Sequence, residues 1–196
     1  PPEAATKTFS KYRSNAHLAR VLKLVGEEPQ RKAAAIEVGE VVRGAGAEAL
    51  VDAAIKSGEQ VGVAFVDPEQ ESLFGGGAVL AVCAANGCAV FEGEEVAALF
   101  ACLVAQGSFA ALDVKAALHR IYPSDSSATA LVDDAQLMAM RAFDLGLAGY
   151  VPNSSVSEYS FDALLDAYVG GVLPEAKTDE QRACAQAAAA RVLVGP

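Results

Sequence analysis

Tryptophan is absent from this 196-residue chain, and histidine occurs only at His17 and His119. Cysteine is scarce as well. Of Cys83, Cys88, Cys102 and Cys184 only the first two are near neighbours, and no second His or Cys pair completes a zinc-like set. A chain of this length buries a proper core without a disulfide scaffold, so the cysteines are expected to be buried free thiols. Long apolar runs are also missing. The hydrophobic fraction of 53% is inflated by alanine and broken into short stretches, none approaching the roughly 18 residues of a membrane span. No charged, apolar, small-residue leader pattern opens the chain, and a soluble, cytoplasmic protein without membrane contact is the expectation. Nor is there a surplus of basic residues. With a formal charge of −10, the chain is expected to bind DNA only weakly by itself, because strong phosphate binding rests on a basic face. The exception is Lys7, Lys11, Arg13, Arg20 and Lys23, which read as a solvated linker helix, with a DNA contact as the alternative.

What is present divides into residues 1–33, an N-terminal linker or helical appendage, and a domain over residues 34–196. In the appendage Leu18, Val21, Leu22 and Val25 recur at helical spacing before Pro29. Ala34 to Val42 reads as a first extended segment. A helix through Leu50, Val51, Ala54 and Ile55 follows and stops at Ser57-Gly58, and a strand runs from Val61 to Val66. Two apolar runs, Ala78 to Ala84 and Cys88 to Phe91, flank Asn86-Gly87 and predict a hairpin. Three antiparallel strands should therefore open the core.

The next helix begins with Glu94 and Glu95 and carries the stripe Val96, Leu99, Phe100, Leu103 and Val104. An extended piece from Ser108 to Leu112 leads to Asp113, an N-cap for a helix bearing Val114, Ala117, Leu118 and Ile121. Ala135 to Met140 reads as a further strand, with one long helix from Asp133 to Tyr150 as the alternative. A helix over Phe143 to Val151 comes next. Ser160 caps a helix with Phe161, Leu164, Leu165 and Tyr168 on one face, and Thr178 with Gln181 starts the alanine-rich last helix. The class is α/β with a mixed sheet.

The segment Arg141-Ala142-Phe143-Asp144-Leu145, running on to Tyr150-Val151-Pro152-Asn153, is followed closely by Tyr159-Ser160-Phe161-Asp162-Ala163-Leu164 and Tyr168-Val169-Gly170. It resembles the 3′–5′ exonuclease domain of bacterial DNA polymerase I, a family A DNA polymerase. Val63-Ala64-Phe65-Val66-Asp67-Pro68-Glu69 resembles that family's first strand with its Asp-x-Glu motif, and Asp113-Val114-Lys115-Ala116-Ala117 its Asn-Leu-Lys-Tyr-Asp. The resemblance covers roughly Ala34 to Leu193 and implies a ribonuclease H-like exonuclease fold.

Two-metal phosphodiester hydrolysis needs several carboxylates to hold cations about 4 Å apart. The active relatives use magnesium. They supply an Asp and a Glu on the first strand, an Asp on a central helix, and a late Asp with a Tyr one turn before it. Here Asp67 and Glu69 match the first pair, although Pro68 between them favours reading the pair as the strand's exit. The second position is Ala117. Asp113 falls where the family has asparagine, and Lys115 matches but has no ligand chemistry. At the last motif the chain reads Cys184-Ala185-Gln186-Ala187-Ala188, and no acid occurs between Ala183 and Ala190. Cys184 as a nucleophile lacks a visible activating His17 or His119. Asp67, Glu69, Ala117, Cys184 and Ala188 are thus expected to mark a degenerate site with no catalytic, cofactor or metal-binding residue, its cleft filled by apolar side chains.

The implied function is a non-catalytic domain of a DNA polymerase in replication and repair, spacing the polymerase module from the 5′ nuclease module of the same chain. Two alternatives stand beside it. One is an active exonuclease recruiting Asp67 and Glu69 with Asp113, Asp133 or Asp134. The other is a protein-interaction module.

Overall fold

The computed structural model describes residues 34–67, 78–122, 134–152, 154 and 159–195, with the side chains of residues 134, 136 and 137 excepted. The N-terminal appendage, His17, Glu69 and Asp133 lie outside these residues, as does the side chain of Asp134.

The strands expected from Val61, Ala78 and Cys88 onward form β3 (Gln60–Val66), β4 (Val79–Ala84) and β5 (Gly87–Phe91). They pair antiparallel in succession. On the far side of β3, β6 (Ser108–Ala111) and β7 (Arg141–Asp144) add parallel. The extended segment over residues 34–42 resolves into two short strands. β1 (Ala34–Ala35) pairs with β8 (Gly171–Val172) in a separate two-stranded sheet, and β2 (Val41–Val42) joins β5. The main sheet thus runs β2-β5-β4-β3-β6-β7, the mixed α/β arrangement with antiparallel first strands that the residue pattern predicts.

Both faces of this sheet are covered, which is why β4 and β5 read as continuous apolar runs rather than alternating ones. Leu80, Val82 and Ala84 turn to one side, where α1 (Ala45–Ser57), α2 (Glu95–Gln106) and α3 (Val114–Ile121) pack around Phe100 and Phe109. Val79, Ala81 and Cys83 turn to the other, beneath α7 (Asp179–Val194). Thr178 caps α7 by accepting from Gln181 N at 3.2 Å, while Gln181 Oε1 accepts from Lys177 N at 2.8 Å. Ala183, Ala187 and Ala190 are fully buried. Small side chains let this helix lie almost on the sheet: a Cβ on Gly62 of β3 would sit 1.9 Å from the Ala187 carbonyl oxygen.

Three expectations need correction. The hairpin turn is Ala85-Asn86, one residue earlier than Asn86-Gly87, because Ala84 pairs with Gly87. Gly87 is required by a close approach instead, since a Cβ there would meet the Glu40 carbonyl oxygen at 2.7 Å. The same register sets Cys83 opposite Cys88, with Cα atoms 4.1 Å apart, and joins them in a disulfide rather than leaving free thiols. Cys102 and Cys184 are free.

The third correction concerns residues 134–150. Neither a strand over Ala135 to Met140 nor one unbroken helix forms: α4 (Asp134–Ala139) precedes β7, and α5 (Leu145–Tyr150) follows it directly. Asp144 is the reason. Its Oδ1 accepts from Leu147 N and its Oδ2 from Val114 N, both at 2.8 Å, so one carboxylate serves the N-termini of α5 and α3. That bond across 30 residues holds β7 beside β6, and hydrophobic periodicity carries no trace of it. Farther on, α6 (Phe161–Leu164) is capped by Ser160, widens into a π-helical turn at Leu165–Val169, and stops at left-handed Gly170.

Candidate functional site

β3 and β6 point their C-terminal ends into a cleft closed by the start of α3, by α6 and by α7. The cleft encloses a cavity of about 150 Å³. Val63, Ala64, Phe65, Ala111, Ala117 and Phe161 give it mostly apolar walls, and Asp113, Arg120 and Gln186 are its ionisable or long polar lining residues.

Asp67 stands just past β3 at the mouth of this cleft, where it is held by Arg120 from the last turn of α3. Arg120 Nη1 donates to Asp67 Oδ1 at 2.5 Å and Nη2 to Oδ2 at 2.6 Å. The guanidinium also lies 5.5 Å from the centre of the Phe65 ring. These hydrogen bonds hold the Asp67 carboxyl below its ordinary range against a smaller opposing effect of burial, and they push Arg120 up. Glu69, the expected companion of Asp67, falls outside the described residues.

Ala117 lines the cavity and is buried, so the second acidic position of the resemblance is a methyl group in the wall. Asp113 is the N-cap expected of it, with Oδ1 accepting from Ala116 N at 2.7 Å. Lys115 and His119 are exposed on α3. On α7 the structure separates residues that the sequence placed together. Cys184 and Ala188 do not line the cavity; they pack with Ala64, Cys83 and Cys88 under the sheet. Gln186 faces the cavity instead, and it brings a neutral amide.

Cys184 is no nucleophile in waiting. Burial first and the neighbouring Glu180 second push its thiol up to about 11, with Arg43 opposing them. Its carbonyl oxygen lies 3.6 Å from Cys83 Sγ.

Arg120 and Gln186 were missed in the sequence for different reasons. Gln186 is the only long polar side chain between Ala183 and Ala190, a visible signal whose direction depends on the rotation of α7. Arg120 has no sequence link to Asp67; 53 residues separate them. Among the described residues, no group of three or more His, Cys, Asp or Glu side chains is placed to hold a metal ion.

Among the described residues no helix is long and apolar enough to cross a membrane. No protein-family model matches the chain, and no significant match appears among curated proteins. Among solved structures, the chain is similar to the EXO domain of Nibbler from Aedes aegypti, at a TM-score of 0.45 and 12% sequence identity, over 79% of this chain and 83% of that one.

Proposed function

We propose that the chain is a 3′–5′ exonuclease-type domain of a family A DNA polymerase I that does not hydrolyse DNA. It serves as a structural spacer between the polymerase and 5′ nuclease modules of the same chain in the cytoplasm, and touches DNA weakly or only within the full-length protein. The observation that carries this reading is the lining of the cleft. Where metal-bound hydrolysis needs acids on the central and last helices, α3 presents Ala117 and α7 presents Gln186. A methyl group and a neutral amide cannot neutralise paired divalent cations, whatever Glu69 does. Among the described residues, the carboxylates at the cleft have other work: Asp113 caps α3 and Asp67 pairs with Arg120. The spacer role draws support from the exposed apolar side chains of α5 and its end, Leu147 at 65%, Tyr150 at 52% and Val151 at 82%, which suit packing against a neighbouring module.

The test is release of nucleotides from a 3′ end of single-stranded DNA in magnesium and in manganese. No turnover above a metal-free control is expected. Robust metal-dependent release would establish the active exonuclease in its place.

A further inference from the structure

Asp67 keeps its carboxylate although α3 presents Ala117 and α7 presents Gln186 to the cleft. Asp67 is 64% exposed, so water reaches it, yet its carboxylate still attracts a cation. Arg120 supplies one from α3, a single turn beyond Ala117, and its planar fork engages both Asp67 oxygens while its flat face meets Phe65. We infer that Arg120 is a built-in replacement for divalent cations: it occupies both Asp67 oxygens and bars metal from the cleft, independently of the missing acids.

This rests on the reading of the cleft as a degenerate nuclease site and adds a second, separable cause for its silence. A divalent ion must come within about 2.1 to 2.6 Å of a carboxylate oxygen to be bound. At Asp67 it would meet a guanidinium already hydrogen-bonded to both oxygens, and like charge at that range disfavours entry. Among the described residues that line the cleft, no other group offsets this. Asp113 is committed to Ala116 N, Gln186 is neutral, and α6 contributes the apolar Phe161. Restoring acids alone therefore does not restore a metal site.

Manganese titration calorimetry on the full chain tests this with three proteins: the unsubstituted chain, Ala117→Asp with Gln186→Asp, and the same pair with Arg120→Gln, each checked for folding by circular dichroism. Manganese binding at least tenfold tighter in the triple variant than in the double variant is expected. Equal affinity in the two, or no binding in either, overturns the role of Arg120. Tight binding with DNA hydrolysis by the unsubstituted chain would instead sink the non-catalytic reading and this inference with it. A second measurement avoids placing acids in a packed wall. In Arg120→Gln alone, carboxyl NMR should show the Asp67 titration moved back up to the ordinary carboxylate range. Manganese should then broaden the Asp67 signals at a concentration at least tenfold lower than in the unsubstituted chain. Equal broadening in both overturns the proposal.

Discussion

Asp67 and Arg120 form a bidentate pair at the mouth of the cleft, yet the Asp67 side chain is 64% exposed. Solvent screening therefore limits what the pair contributes, and Asp67→Asn should cost no more than about 1 kcal/mol by urea unfolding at neutral pH. The pH dependence has a definite sign. Because the folded-state carboxyl lies below its unfolded value, the contribution is present above that unfolded value, 3.8, and is lost as pH falls through the lower folded one. The difference between the parent and Asp67→Asn should therefore vanish in acid; a difference that grows below pH 4 would contradict the pairing. Cys184 behaves oppositely. Its thiol is raised from 9.0 to about 11, so stability is fully present below 9 and declines as pH rises through the folded value. At neutral pH, mass spectrometry after iodoacetamide treatment should find half-buried Cys102 modified, Cys184 untouched until denaturant is added, and buried Cys83 and Cys88 blocked until denaturant and reductant are both added.

Elements in this fold are set by contacts of two kinds. Local ones were legible: Gly58 ends α1, Asp113 begins α3, Ser160 begins α6 and Thr178 begins α7, each by chemistry contained within a few residues. Thr178→Ala should lower stability by about 1 kcal/mol through loss of the bond to Gln181 N, measured by thermal or urea melts. Non-local contacts were not legible. Phe143 and Asp144 end β7 rather than open a helix, because Asp144 accepts from Val114 N, and the Cys83–Cys88 bridge follows from a register that shifts the turn by one residue. The approach of α7 to β3 belongs here as well. Gly62→Ala would drive a Cβ into the Ala187 carbonyl, and since the obstacle is backbone it should cost about 3 kcal/mol. A neutral outcome would mean that helix and strand stand farther apart. Reduction of Cys83–Cys88, which closes a separation of only five residues, should cost about 2 kcal/mol.

The whole molecule carries a formal charge of −10, and its cleft contributes one arginine that is already paired. Sequence-independent binding to single-stranded DNA should therefore be weak. Fluorescence anisotropy at physiological salt should show no saturation below about 100 µM protein, and tight, salt-sensitive binding would point to a basic face that the described residues do not supply.

Composition, capping residues and apolar periodicity determined the class of fold, the antiparallel opening of the sheet and most helix ends, because those depend on interactions short in sequence. That position 117 brings only a methyl group was likewise legible, since alanine has no lone pair to offer in any conformation. Tertiary structure alone decided that Gln186 rather than Ala188 faces the cleft, and that Arg120 closes on Asp67. Both depend on how helices rotate against a shared sheet, which is settled by packing between residues far apart in the chain.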